Sequence, residues 1–250
     1  MITDEDVQRF FRGAQWILDK HYDPSKQLPS QFYRGTSIWV DQHPGGCRRH
    51  LAIFDEFNII PKYCFSCYKV IVTPRTVLEL FKLMMVFEAM RLPNDNTRKC
   101  IVECREKISG TYKGFVYCRS IKEGEELVDT VRQIISDEIS NEIPVTLKRG
   151  CSEYGLVYPE FPVVAQGSNR MEYIEAWREQ ERIADDKLQI NTKSYKYDTY
   201  NRADYTLQDV LTMLYWLRYA ATIGDTSYLK IFNQELPPDP DLKRPAFVVT

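Results

Sequence analysis

Four short stretches, YCFSCYKVIV (63–72), KCIVECR (99–105), YKGFVYCR (112–119) and PVTLKR (144–149), decide the fold predicted for this chain. Each is bounded by turn residues and is predicted to be a β-strand. Helical patterns separate the first stretch from the second and the third from the fourth. Residues 62–158 therefore predict the order strand–helix–strand–strand–helix–strand, which is typical of a ferredoxin-like α+β sandwich with one face of its sheet open.

Both helices of this unit begin with capping signals. Thr73 is predicted to be the N-cap of the first helix, with Pro74 at its first helical position. Ser120, followed three residues later by Glu123, predicts a capping box at the start of the second. The first helix runs to about Arg91 and is apolar most of the way round. It is therefore expected to be covered on two sides, by the sheet and by another part of the chain.

The remaining sequence is predicted to flank this core. Residues 1–60 are expected to form an N-terminal segment, with helices at 5–20 and 47–57, a short strand at 37–40 and a Gly-Gly/Arg loop between them. Residues 61–158 form the core. Residues 159–250 are expected to form a helical extension, with helices near 170–187 and from 206 onward, ending in a proline-rich tail.

Composition predicts a soluble, cytoplasmic protein. The 250 residues carry a formal net charge of −2, with 44% hydrophobic and 27% charged residues, so the whole molecule has no strong attraction to nucleic acid or membrane. No apolar window approaches the roughly 18 residues needed to span a bilayer. The acidic N-terminus has no apolar signal core. Seven cysteines are then expected to be reduced and to serve in packing, metal binding or nucleophilic chemistry.

Strand alternation predicts which face of the sheet is chemically active. Small apolar residues such as Cys100, Val102, Val116 and Cys118 share the face under the helices. The open face is predicted to combine aromatic and basic side chains with a single acid: Phe115, Tyr117, Lys99, Arg105, Lys113, Arg119, Lys148 and Glu103.

Two uses of that face are open. The segment KGFVY (113–117) resembles in part a signature of RNA-recognition motifs, from which Val116 and Ser120 depart, and basic charge interleaved with rings suits RNA. A nucleic-acid or protein-interaction module using Lys113, Phe115, Tyr117, Arg119 and Arg105 is therefore one alternative. Burial of the face by residues 160–250, or by a partner subunit, is the other.

The densest cluster of chemically capable residues is HPGGCRRH (43–50). A helix beginning near Cys47 would direct free N–H groups toward an anion. Arg48 and Arg49 could clamp a phosphate or carboxylate through paired donors. His50 or His43 could act as acid or base near neutral pH.

A second basic cluster follows the last predicted strand, with Lys148, Arg149 and Cys151. If the two clusters meet, they predict an enzyme, or an accessory subunit of one, that binds a small anionic substrate. Arg48, Arg49, Lys148 and Arg149 would bind it, and Cys47 or Cys151 would be the nucleophile because a neighbouring arginine lowers a thiol pKa. A homo-oligomer or protein partner is left open, no membrane contact is expected, and no cofactor is assigned.

Cys64 and Cys67 form a CxxC motif, which is the basis of a third alternative, a cysteine-ligated metal protein. The motif falls inside a predicted strand, where residues three apart point to opposite faces. A turn would have to replace the strand at this point for both thiols to reach one ion. Plain packing is the competing interpretation, because buried cysteine behaves as a small hydrophobe.

Overall fold

The computed structural model describes residues 1–9, 31–34, 46–103, 107–164, 170–188 and 207–231. Its fold is α+β, with an antiparallel open sheet and helices packed against it. The strands are β1 (Gln31–Arg34), β2 (Tyr68–Val72), β3 (Arg98–Val102), β4 (Tyr112–Cys118) and β5 (Val145–Arg149). The helices are α1 (from residue 4), α2 (Gly46–Phe57), α3 (Val77–Ala89), α4 (Ile121–Glu138), α5 (Ser152–Val157), α6 (Trp177–Leu188) and α7 (Leu207–Thr222).

The strands are arranged in the order β1-β3-β4-β2-β5, and every neighbouring pair is antiparallel. In the β2–β5 pair, Tyr68 lies opposite Arg149. The start of β2 therefore adjoins the end of β5. The backbone N–H of Gly150 extends this pairing by donating to the carbonyl of Cys67 at 2.7 Å. This register determines where the functional residues at the end of the sheet lie.

Helices α3 and α4 cover one face of the sheet and enclose the larger hydrophobic core. Cys100, Val102, Val116 and Cys118 belong to this core, which confirms the face predicted from strand alternation. Helix α3 is also covered by α7, which contacts β1 as well, and the rings of Phe81 and Trp216 are 5.7 Å apart. The prediction that this helix is covered on two sides is therefore confirmed.

A second, smaller core lies at the end of the sheet and joins α2, α5 and α6. It is built largely from aromatic rings meeting edge to face, which is the arrangement that their quadrupoles favour. Tyr154 of α5 is central, with its ring 4.7 Å from that of Phe54 and 5.3 Å from that of Phe161. This second core supports the segment that precedes β2 and the segment that follows β5.

The first strand was predicted to begin at residue 63, and this prediction was wrong. Residues Lys62–Ser66 form a 3-10 helix, and β2 begins only at Tyr68. The turn is closed by two backbone hydrogen bonds, from Cys64 N to the Pro61 carbonyl and from Cys67 N to the Cys64 carbonyl. Because local hydrogen bonds replace the ladder here, the CxxC motif lies on a turn.

The first helix cap was also misplaced. Helix α3 begins at Val77, and its N-cap is Thr76, whose hydroxyl accepts a hydrogen bond from Glu79 N at 3.2 Å. Thr73 instead extends the pairing of β2 with β5, because its N–H donates to the Pro144 carbonyl. The N-cap of α4 is confirmed, because the Ser120 hydroxyl accepts from Glu123 N. The reciprocal half of the predicted capping box is shifted, because the Glu123 carboxylate accepts from the N–H of Arg119, one residue before the N-cap.

Several expectations fall outside the described residues. These include most of the helix predicted at 5–20, the strand at 37–40 and the proline-rich tail after residue 231. Strand β1 was not predicted, and α6 begins at Trp177, later than expected. The division at residues 60 and 158 stays a prediction. None of the described helices is long and apolar enough to cross a membrane.

Candidate metal centre

Four of the six cysteines that the structure describes line one small cavity at the end of the sheet. Cys47, Cys64, Cys67 and Cys151 contribute to it, and we call it the cysteine cavity. Its other lining residues are His50, Tyr63, Gly150 and Tyr154. The volume is about 10 Å³, which is close to the minimum that holds one water molecule. The cavity suits an occupant of atomic size better than an organic substrate.

Helix α2 brings Cys47 and His50 to the cavity. They are three residues apart, so they lie on the same side of the helix, one turn above the other. His50 is buried and stacks on Tyr63, with ring centroids 6.2 Å apart. Cys47 is exposed as a residue, although it lines the cavity. Buried Ile53 and Phe54 anchor the next turn of the helix in the second core.

The 3-10 turn supplies Cys64 and Cys67, which are both buried. A turn with this spacing places two thiols on the same side of the backbone, where an extended strand would separate them. Tyr154 lies within hydrogen-bond distance of Cys64, with 3.3 Å between its hydroxyl oxygen and the sulfur. Helix α6 fixes the start of the turn, because the Glu181 carboxylate accepts from Lys62 N at 2.9 Å.

The end of β5 supplies Cys151, through a glycine that the geometry requires. Gly150 has a φ of +61°, a left-handed conformation that glycine adopts without strain. A Cβ at this position would come within 2.3 Å of the Phe161 ring. Glycine therefore allows the chain to turn sharply after Arg149 and to place Cys151 beside Cys67.

Charge distinguishes Cys151 from the buried thiols of the cavity. Burial is the largest influence on the buried thiols of Cys64 and Cys67, and it raises the pKa of both, that of Cys67 to about 12. Burial also acts on Cys151, but the nearby ammonium groups of Lys69 and Lys99 outweigh it and lower its pKa. Lys69 Nζ donates to Cys151 Sγ at 3.5 Å. The cavity therefore combines Cys151, a position that favours the thiolate, with the buried thiols of Cys64 and Cys67, whose pKa values are raised.

The two sequence clusters do meet, but two of their arginines have protein partners. Arg49 pairs with Asp185 through two contacts of 2.7 Å and reaches Glu181 at 3.3 Å, which joins α2 to α6. Arg149 is fully buried and donates to the carbonyls of Phe161 and Met171 at 2.7 and 2.9 Å. These contacts give both guanidinium groups a structural role, whereas binding of an anion by them stays a prediction.

The remaining candidates of these clusters either do not line the cysteine cavity or lie outside the described residues. Lys148 is partly buried, and its ammonium contacts the Ser152 hydroxyl. His43 and the side chain of Arg48 lie outside the described residues. The structure therefore brings together Cys47, His50 and Cys151 out of the proposed catalytic group.

The predicted open face of the sheet is largely buried. Phe115 and Tyr117 are only 8% and 9% exposed, so neither ring offers a free surface for stacking on a base. Lys113 is also buried and lies 3.5 Å from the carboxylate of Glu103. Arg119 is exposed, and Arg105 lies outside the described residues. The arrangement offers little support for the RNA alternative, which required exposed rings.

The cysteine cavity has the ligand chemistry of a metal centre without a preformed ligand geometry. In the part of the chain that the structure describes, no group of three or more histidine, cysteine, aspartate or glutamate side chains is arranged so that it could hold a metal ion as it stands. Four thiols around one cavity nevertheless match the ligand set of structural zinc sites. All six described cysteines are free, so none is withdrawn into a disulfide.

Sequence reasoning named all four cysteines but did not place them together. Cys47 and Cys151 were considered as nucleophiles, and Cys64 and Cys67 as a weak metal pair. One topological signal could have placed them: when the first and last strands of the core pair antiparallel, the residue before one adjoins the residue after the other. That rule brings Cys67 next to Cys151. Lys69 was missed because its position on β2 gave no sign of a thiol partner.

Comparison of the chain with protein-family models, with curated proteins and with solved structures gave no match. The case for a function therefore depends on the geometry of the cysteine cavity.

Proposed function

We propose that the chain is a metal-binding protein whose centre holds one thiophilic metal ion, with zinc as the first choice. Cys47, Cys64, Cys67 and Cys151 are the proposed ligands. The observation that carries the proposal is their convergence on a single cavity from three separate parts of the chain. Tetrahedral sulfur coordination is characteristic of zinc and of iron–sulfur sites, and a cavity of about 10 Å³ favours a single ion over a cluster.

Binding requires a local change of side chains. The sulfur atoms must turn about their Cα–Cβ bonds toward the cavity, and such a rotamer change leaves the backbone in place. The protonated thiols must also lose their protons, because the thiolate is the metal ligand. Both costs are offset by the metal–sulfur bonds.

The proposed centre is structural. Four protein ligands leave no open coordination position, which distinguishes structural zinc sites from catalytic ones. The ligands come from α2, the 3-10 turn and the loop after β5, so one ion would tie three segments together. His50 then remains a neighbour stacked on Tyr63 and is not needed as a ligand.

The experiment is a metal count on protein purified without oxygen or chelator. We expect close to one zinc ion per chain, lost in a Cys64→Ser, Cys67→Ser double variant. Cys118→Ala is the matched control, because Cys118 is equally buried but lies in the core under α3 and α4. We expect this variant to keep its metal.

A titration of the unmodified chain with a mercurial thiol reagent avoids any variant that fails to fold. We expect four thiol equivalents to be consumed for each metal ion released. The fully reduced chain can also be refolded with zinc or with ferrous iron. If it then retains neither metal, the proposal is overturned.

A thiol-dependent enzyme acting on a small anionic substrate is the second candidate. It is favoured by the meeting of Cys47, His50 and Cys151 at one cavity, which joins the two clusters of the sequence. The small volume and the partners of Arg49 and Arg149 weigh against it. A metal-free, colourless protein that binds inorganic phosphate, with weaker binding after Lys148→Met, would favour this candidate.

We also infer that the sheet is a ferredoxin-like βαββαβ unit with one added edge strand. In support, β3-β4-β2-β5 are contiguous in the sheet, α3 and α4 alternate with them along the chain, and β1 pairs outside β3.

The free thiols support a reducing, cytoplasmic location, where such centres do not compete with disulfide formation.

A further inference from the structure

A buried cation, Lys69, contacts one of the cysteines that line the cavity. Lys69 follows Cys67 by two residues, so on β2 it points to the same face of the sheet as Cys67. The side chain is only 5% exposed. Its ammonium lies over the rings of Tyr117 and Phe115, at 5.2 and 5.9 Å from their centroids. These rings hold the amine in place through cation–π contacts.

The hydrogen-bond acceptor of this ammonium is a sulfur atom. Within the described residues, Lys69 Nζ donates to Cys151 Sγ at 3.5 Å and forms no ion pair with a carboxylate. A buried charge is costly unless an opposite charge is close. The position of Lys69 therefore calls for negative charge on the cavity side, at Cys151 or its neighbours.

A four-thiolate centre supplies such charge. Four thiolates around a divalent ion leave two net negative charges, and burying them requires compensation from the surrounding protein. Lys69 is placed to give both a positive charge and an N–H···S hydrogen bond. Contacts of this kind, made to a ligand and not to the metal, commonly tune affinity.

We infer that Lys69 is a positioning residue of the metal centre, which compensates the charge of the thiolates. This inference deepens the proposed function and depends on it. Lys69 acts through Cys151 and does not touch the ion. The rings of Tyr117 and Phe115 hold the Lys69 ammonium beside Cys151, so this aromatic face of the sheet positions the charge next to the centre.

The test compares Lys69→Met with the unmodified chain. Metal affinity is measured by competition with a chromophoric chelator, and the Co²⁺-substituted proteins are compared by their sulfur-to-metal charge-transfer bands. We expect Lys69→Met to weaken affinity by roughly 10- to 100-fold and to shift the band, with part of the loss restored by Lys69→Arg. Lys122→Met, which removes an exposed lysine of α4, should leave both measurements unchanged.

The outcomes separate the two claims. An unmodified chain that binds metal, together with a Lys69→Met variant of equal affinity and equal spectrum, would overturn the role of Lys69 and leave the metal centre standing. An unmodified chain that binds neither zinc nor cobalt would overturn the centre and the inference with it. A stability loss in the metal-free Lys69→Met protein with no change in affinity would indicate a packing role only and also overturn the inference.

Discussion

Two pairs of buried cysteines, Cys100 with Cys118 and Cys64 with Cys67, differ in their surroundings and hardly in their burial. Cys100 and Cys118 lie under α3 and α4 in an apolar core, and burial raises the pKa of each. The cavity cysteines adjoin one another, Lys69 and a turn. The comparison shows that burial alone does not tell a packing cysteine from a ligand. The neighbouring residues distinguish a packing cysteine from a ligand, and which residues are neighbours depends on the register of the sheet.

The largest expected effect is on the second core. The reference state is the protein with free zinc at about a thousand times its dissociation constant. Relative to that state, we expect removal of the metal by a strong chelator to lower the free energy of unfolding by about 4 kcal/mol. In the metal-free protein, exchange of the backbone amide hydrogens should accelerate first in α2 and α5, which flank the cavity. The amides of α3 and α4 should follow later. Uniform acceleration, or none, would contradict the separation between the two cores.

Arg149 should behave as a structural residue. We expect Arg149→Met to reduce the free energy of unfolding by about 3 kcal/mol, because the carbonyls of Phe161 and Met171 lose a buried donor. Arg119→Met, which changes an exposed arginine, should stay within about 0.5 kcal/mol. Chemical denaturation measures both. An Arg149→Met protein of undiminished stability would restore Arg149 as a candidate for ligand binding.

Asp225 offers a comparable test on the helix side of the sheet. Its carboxylate accepts from Val77 N at 2.6 Å and from the Tyr112 hydroxyl at 2.7 Å. We expect Asp225→Ala to cost about 2 kcal/mol, since it leaves the start of α3 and a buried hydroxyl without their acceptor. Metal content should not change. If the metal were lost as well, the two cores would not be independent.

The smallest expected effect concerns the α4 cap. Burial raises the pKa of Glu123, but hydrogen bonds from Arg119 N, Asn96 and Asn94 outweigh it, so the net shift is downward. A lowered folded-state pKa means that the stabilisation is present above the unfolded value of about 4.3 and is lost as pH falls through the folded value. We expect Glu123→Gln to cost about 1 kcal/mol at pH 7 and to flatten the acid limb of the stability curve. An unchanged acid limb would contradict this.

Local rules predicted the parts of this fold that local physics controls. The N-cap at Ser120 and the face of Cys100 and Cys118 followed from spacing alone. The start of β2 did not, because nothing local distinguished a strand from a turn at Cys64. Thr73 and Thr76 were both plausible caps, and the packing of α3 decided between them. The cavity itself depends on contacts between residues about 85 positions apart in sequence, which spacing rules do not reach.

The arginines show the same limit of prediction from the sequence. Their residue type correctly indicated strong paired donors. Arg49 does bind a carboxylate, because it donates to both carboxylate oxygens of Asp185. Residue type alone could not indicate that the acceptor belongs to the chain itself. Distant acids such as Glu181 and Asp185 became partners only when α6 packed on α2.

X-ray absorption at the metal edge of the purified protein tests the central claim most directly. The proposed centre predicts one first shell of four sulfur atoms at about 2.3 Å from zinc, retained in Cys100→Ala. A shell of nitrogen and oxygen atoms at about 2.0–2.1 Å, or no bound metal after anaerobic purification and reconstitution, would show that the four cysteines do not form a metal centre.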